Sequence, residues 1–188
     1  MKKSFGAKTL IYPTPLWVIG TYDKVGKPNA MTIAWGGVCS SKPPCVAVSI
    51  RKVTYTHGNI MEHKAFTVNV PSASQIKVAD YFGMASGRNE DKFSKTGLTA
   101  LRSEEVDAPY IQEFPMILEC KLFSTSEIGS HTHFIGEIVD VKVEESLLRE
   151  DGLPDIIKIR PVLYGPEIQS YYAVGEFLGK AFAVGKEI

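Results

Sequence analysis

Short apolar runs broken by glycine and proline dominate the chain, and their spacing predicts strands far more often than helices. Residues 16–22, LWVIGTY, are rich in β-branched and aromatic side chains and end at DKVGKP, a turn-like cluster followed by a second such run over residues 30–35. Together they predict a hairpin. Residues 46–50 are apolar on both faces and follow Pro43 and Pro44, the pattern of a strand buried in a barrel or between layers. Residues 66–70 form another short run, ended by Pro71, which cannot donate to a ladder.

The period then changes from two to about 3.6. In residues 74–82, Ile76, Ala79 and Phe82 share one face with Val78 beside them, so a helix is expected, with Ser72 and Ser74 as candidate caps and Gly83 closing it. Residues 85–108 are polar and read as a long loop with at most one helical turn; loops of that length in compact domains are usually functional or disordered. Two long alternating runs follow, residues 116–124 and 132–143, expected to pair as neighbours. Residues 157–163 predict one more strand. From Gly165 the tail is aromatic and glycine-rich, with Tyr171, Tyr172, Phe177 and Phe182, and is expected to dock on the body or on a second subunit. Several short strands with few helices predict a mainly β fold, a closed or split antiparallel barrel with minor α content.

Length and composition narrow the function. With 188 residues and neither repeat nor low-complexity segment, one domain over residues 1–188 is expected. Lys plus Arg and Asp plus Glu both number 21, so no net field favours nucleic acid or anionic lipid, and neither is an expected partner. No apolar stretch approaches the roughly 18 residues of a membrane span, and the start lacks a secretory h-region, which makes the cytoplasm the default compartment. Cys39, Cys45 and Cys120 show neither a CxxC pair nor zinc-like spacing and read as buried reduced thiols. His131 and His133 would share a strand face without an obvious third ligand, so no metal site is expected.

Familiar catalytic motifs are missing. There is no GxGxxG opening a helix, no P-loop, no GxSxG elbow and no HExxH. What remains is a set of polar and aromatic groups where strands end. The strings PNAMTIAW, CSSKPP, VSIRKVTYTHGNI, AFTVNVP, SGRNEDKF and HTHFIGEIVDV, in that order over nearly the whole chain, resemble the flavin reductase-like family of FMN-binding split barrels. The ending YYAVGEFLGKAFAVGK is similar to that of the flavoredoxins within it.

The resemblance implies FMN as cofactor, NAD(P)H or a redox protein as electron donor, and a homodimer with FMN at the subunit interface. It carries flavin contacts onto Asn29, Ala30, Met31, Thr32, Trp35, Ser40, Ser41, Arg51, Thr54, Tyr55, Thr56, Ser86, Lys92 and Tyr164, and the catalytic position onto His131. These residue types suit a flavin, whose flat ring with a polar edge needs an apolar platform and an amide, and whose phosphate needs hydroxyls and a cation. Each also has an ordinary structural reading. Asn29 could be a turn residue beside Pro28, Trp35 core filling, Thr54 a helix cap, Lys92 a solvated loop lysine and His131 a satisfied strand histidine. The same strings serve flavin reductases that release reduced flavin and carriers that keep it. An oxidoreductase passing electrons through bound FMN is expected, with a non-enzymatic carrier or a reductase supplying free flavin as alternatives.

Overall fold

The computed structural model describes residues 1–187. Twelve strands occur among the described residues: β1 (Thr14–Pro15), β2 (Trp17–Tyr22), β3 (Pro28–Ile33), β4 (Gly36–Ser41), β5 (Pro44–Arg51), β6 (Ala65–Val70), β7 (Ala100–Arg102), β8 (Pro109–Ile111), β9 (Met116–Ile128), β10 (His131–Val143), β11 (Val162–Gly165) and β12 (Ser170–Ala173). Four α-helices lie between them: α1 (Tyr55–His63), α2 (Ile76–Met84), α3 (Lys92–Thr96) and α4 (Ile156–Ile159).

Seven strands build the main antiparallel sheet in the order β3-β2-β6-β9-β10-β5-β4. The edge strands β3 and β4 follow one another in sequence without pairing, so the barrel is left open along this seam. Inside it, Ile19, Val46, Val48, Ile50, Phe66, Val68 and Phe134 form a buried core, each worth about 1.5–3 kcal/mol in apolar burial. Gly136 makes room for this packing: a Cβ there would lie 2.5 Å from the Phe66 ring. A second core lies between the sheet and α2 and α3, built on Val18, Ala30, Ala79, Phe82, Phe93 and Ile117. Strands β1, β11 and β12 form a separate small sheet, and β7 pairs with β8.

The predicted hairpin is β2–β3, with Cα partners running from Trp17↔Ile33 to Tyr22↔Pro28. Its turn is held by Asp23, whose Oδ1 accepts from the backbone N–H of Val25 and Lys27 at 3.0 and 2.9 Å, with Gly26 at φ +81°. Asn29 therefore lies on a strand, past the turn.

Three local expectations are corrected. Cys45 and Cys120 are buried, but Cys39, on the edge strand β4, is exposed. Residues 157–163 do not form one strand: Asp155 caps α4 by accepting from the N–H of Ile157 and Lys158, Arg160 ends it in the left-handed region, and β11 starts only at Val162. Local side-chain capping outweighs the β-propensity of Ile157 and Ile159, and of Ile156 before them. Gly83 does not close its helix; α2 runs to Met84 and ends at the extended Ala85. The N-terminal side follows the prediction more closely, since Ser72 precedes a 3₁₀ turn and its N–H donates to Gln75 Oε1 at 2.9 Å.

Candidate functional site

The chain leaves β5 at Arg51 and enters α1 through Thr54, whose hydroxyl donates to the Arg51 carbonyl at 2.9 Å and accepts the His57 N–H at 3.3 Å. The first turn of α1 carries no acidic side chain. Its leading N–H groups have no intrahelical acceptors, so this end of the helix favours an anion. Facing it is β3, where Asn29 is 4% exposed and donates through Nδ2 to Thr56 Oγ1 at 2.9 Å. Asn29 Oδ1 is buried with no hydrogen-bond partner, an arrangement that costs about 1–3 kcal/mol unless a donor arrives.

Residues 85–91 close the third side. Ser86 starts a turn, its carbonyl accepting from Asn89 and Glu90. Gly87 approaches so closely that a Cβ would sit 2.1 Å from Asn29 Oδ1 and 2.9 Å from Tyr55 Cδ1. Arg88 donates to the Val53 carbonyl at 2.8 Å, with its guanidinium 5.5 Å from the centre of the Tyr55 ring. Tyr55 is held in turn by its hydroxyl donating to Asp23 Oδ2 at 2.7 Å. That bond raises the Tyr55 pKa. Burial would raise the Asp23 pKa, but the Tyr55, Lys27 and Val25 hydrogen bonds outweigh it and hold the carboxylate below its ordinary value.

Lys92 opens α3 behind the loop and is 3% exposed. Its ammonium donates to the carbonyls of Ala30 and Phe82 at 2.7 and 3.0 Å, and burial lowers its pKa to about 8. Asn29, Met31, Thr54, Tyr55, Thr56, Ser86 and Lys92 thus come together, with Arg88, around one depression of about 200 Å³. Through Gly83 and Met84 it continues into a hollow of about 540 Å³ lined by Thr32, Trp35, Tyr164 and Tyr171. There Trp35 is 40% exposed, Tyr164 and Tyr171 have ring centres 5.6 Å apart, and the Tyr171 hydroxyl donates to Asp80. One end of this groove offers cations, hydroxyls and a helix N-terminus; the other offers aromatic faces.

Other expected residues are placed elsewhere. Ala30 contributes its carbonyl to Lys92 while its side chain fills the core. Ser40 and Ser41 end β4, opposite Cys45 and Pro44. Arg51 and His131 are register partners across β5 and β10, outside the groove, with His131 Nδ1 at 3.1 Å from Ser130 Oγ. Residues missed from the sequence are Gly87 and Arg88, within the SGRNEDKF string, and Asp23, Met84 and Tyr171. Only Arg88 carried a signal, being a second cation in the segment that supplied Ser86 and Lys92. Among the described residues, no three or more His, Cys, Asp or Glu side chains gather as a metal site.

The family model for the flavin reductase like domain matches residues 9–167. The chain belongs to this family. It is 58% identical to the flavoredoxin of Desulfovibrio vulgaris (Miyazaki F), with a TM-score of 0.95 over 98% of this chain and 100% of that one. Against the flavoredoxin from Methanosarcina acetivorans the identity is 34% and the TM-score 0.92, over 100% and 98% of the two chains. An uncharacterized protein of Archaeoglobus fulgidus is 37% identical over 146 residues, 78% of this chain and 80% of its own length. The open sheet is accordingly the split barrel of the flavin reductases, and a flavin is the family's ligand.

The groove fits such a ligand on its own terms. A phosphate would answer the Arg88 and Lys92 cations and the α1 N-terminus, and a polar-edged ring system would supply the donor that the buried Asn29 Oδ1 lacks.

Proposed function

We propose that the chain is an FMN-dependent oxidoreductase of the flavoredoxin kind, taking electrons from NAD(P)H or a redox protein and delivering them to an acceptor. The observation that carries this reading is the unpartnered, buried Asn29 Oδ1 in a cationic pocket that shares Gly83 and Met84 with an aromatic hollow. When bound, FMN supplies the redox chemistry, accepting a hydride and giving up electrons. The chain's own groups bind and orient it. Lys92, Arg88, Thr54 and the first turn of α1 hold the phosphate; Asn29 addresses the ring edge; Trp35 and Tyr164 flank the ring and exclude water.

A homodimer accompanies this reading. Val38, Phe123, Ile128, Phe177, Leu178 and Phe182 are all more than half exposed, a large apolar area for a lone protomer. Arg51 and His131 lie outside their own protomer's groove, and a two-fold mate gives them a groove to face. We place the protein in the cytoplasm; no helix among the described residues is long and apolar enough to cross a membrane.

The test is the visible spectrum of the protein as purified, followed by rapid mixing with NADH and with NADPH. Flavin bands that bleach with either nucleotide support the oxidoreductase. Flavin bands that persist show a carrier reduced by another protein, and a colourless protein that takes up no FMN removes the proposal. Sedimentation of the intact chain beside one lacking residues 174–188 checks the dimer, and a monomeric intact chain refutes the interface site.

A further inference from the structure

Two of the three cysteines, Cys39 and Cys45, meet at one end of the β4–β5 hairpin. Their meeting follows from register. Gly37 pairs with Ala47 and Val38 with Val46, and the ladder then slips, so that the next registered pair is Ser40 with Cys45. Such a slip sets two residues of one strand against a single residue of the other, and the extra residue is Cys39. Opposed residues of an antiparallel pair have Cα atoms about 4.5–5.5 Å apart, and a disulfide spans about 4.4–6.8 Å, so the bulge brings Cys39 within bridging reach of Cys45. The two also share a face. Alternation along β5 gives Val46, Val48 and Ile50 to the interior core and turns Cys45, Ala47 and Ser49 outward, and Cys39 borders the same hollow as Ala47 and Ser49. Cys120 belongs to the interior core, on the other face of the sheet.

The paired thiols differ in access. Cys39 is exposed on an edge strand, whereas Cys45 is 2% exposed. Burial, then the neighbouring Cys39 and Glu137, raise the Cys45 thiol above its ordinary pKa, which keeps its proton on. An open thiol meets oxidants from solvent, while its covered neighbour reacts only with what the first has become. A bridge between them would close a very short loop that the ladder already holds, so it would add little to the fold. Its use is chemical.

We propose that Cys39 and Cys45 form a reversible dithiol–disulfide site, in which hydrogen peroxide oxidises Cys39 and Cys45 resolves the product. In the first step the Cys39 sulfur attacks a peroxide oxygen; an S–O bond forms, the O–O bond breaks, and the leaving hydroxide departs with the thiol proton as water. In the second the Cys45 sulfur attacks the Cys39 sulfenic acid; the S–S bond forms, the S–O bond breaks, and the hydroxyl leaves with the Cys45 proton as a second water. Two thiols are oxidised and one peroxide is reduced to two waters, and a small dithiol reverses the bond by exchange. The site rests on strand register and stands whether or not FMN occupies the groove.

Peptide mass mapping of the reduced full chain tests it, with and without FMN, before and after hydrogen peroxide. Trypsin leaves Cys39 and Cys45 together in residues 25–51, because Lys27 and Lys42 precede proline, and puts Cys120 in another peptide. Before oxidation, iodoacetamide should label Cys39 in the native protein and leave Cys45 unlabelled. Afterwards the 25–51 peptide should be lighter by two hydrogens and take no label even when unfolded, and dithiothreitol should restore both labels. Cys45→Ala should halt the reaction at a Cys39 sulfenic acid that dimedone traps, and Cys39→Ser should leave Cys45 reduced. If Cys45→Ala does not fold, the wild-type bridge and its reversal decide alone. A native Cys39 that resists iodoacetamide, oxidation that leaves both thiols free or carries Cys39 to the sulfinic acid unbridged, or a bridge to Cys120 or to a second copy of the chain overturns the proposal. A protein that forms the bridge yet binds no FMN keeps this site and removes the FMN reading, so the two fail separately.

Discussion

Replacing Lys92 by methionine keeps the length of the side chain and removes its charge. An ammonium has three N–H groups; two are used on the Ala30 and Phe82 carbonyls, which leaves one for a phosphate oxygen. Losing that single charge-assisted bond should weaken FMN binding by about 1.5–3 kcal/mol, roughly 10- to 150-fold. Riboflavin, which has the ring and no phosphate, should lose less, only the share that comes from loosened walls. The substitution also orphans two carbonyls, so the fold itself should lose about 1–3 kcal/mol for each, read separately by urea unfolding. The FMN-to-riboflavin ratio is insensitive to that loss.

The same lysine gives the affinity a pH dependence of known sign. Burial holds its pKa near 8 in the free site. A dianion beside it favours the charged form and raises that value, so above pH 8 binding takes up a proton. FMN affinity should be level below about pH 8 and fall by up to tenfold per unit above it, while riboflavin affinity and the Lys92→Met protein stay level. Titration of flavin-free protein by fluorescence at pH 7 to 9.5 decides the matter. Equal losses for both ligands, or a level wild-type curve for FMN, would refute the assignment of Lys92 to the phosphate.

Gly87→Ala should cost more than tenfold in FMN affinity with little change in secondary structure, because a Cβ there meets Asn29 Oδ1 at 2.1 Å; calorimetric titration with circular dichroism checks both halves. Trp35→Ala and Asn29→Ala act at the ring end and should weaken FMN and riboflavin alike, by about 1 kcal/mol each; a variant that discriminates between the two ligands is misplaced. His63 lies between two acceptors, Asp107 Oδ2 at 2.7 Å and the Asp23 carbonyl at 3.0 Å, and only the imidazolium can donate to both. Burial would lower its pKa, but the Asp107 and Asp23 bonds raise it above 6.5. A raised folded pKa means stability fully present below pH 6.5 and lost as pH rises through the folded value. The wild type should therefore exceed His63→Gln by about 1 kcal/mol in urea at pH 6, allowing for the half-exposed Asp107, with the gap closed by pH 9.

What the sequence disclosed tracks how local each cause is. Alternation along β9 and β10 and the hairpin at Asp23 are read within one strand or turn, and they appear where the pattern puts them. The α4 segment misled because three isoleucines outweigh one aspartate in any propensity sum, whereas the folded chain is governed by that aspartate's two hydrogen bonds. At the groove, Asn29, Thr56, Ser86 and Lys92 were recognisable as strand-end polar groups. Their meeting was not, since Asn29 touches Thr56 across 27 residues and Lys92 reaches back 62 to Ala30. Gly87 was invisible for the same reason, because nothing in SGRNEDKF reveals that an amide oxygen fills the space where its side chain would be.

On the proposed function, Lys92 also shows how a groove for an anion is built during folding. A bare cluster of cations would repel itself open, and a lysine facing solvent would have to give up its water when the phosphate arrives. Here the desolvation is already met during folding, since two backbone carbonyls replace water around the ammonium. Those carbonyls come from β3 and from the last turn of α2, so one side chain ties the strand bearing Asn29 to the helix that leads into Ser86 and Gly87. The walls are thereby fixed at their binding distance before the ligand enters, and affinity is not spent on ordering them. Arg88, by contrast, is exposed and bonded to a loop carbonyl, and it can move without disturbing the core. The two cations thus play different parts, since the buried one ties the pocket's walls together and the exposed one sits at its rim.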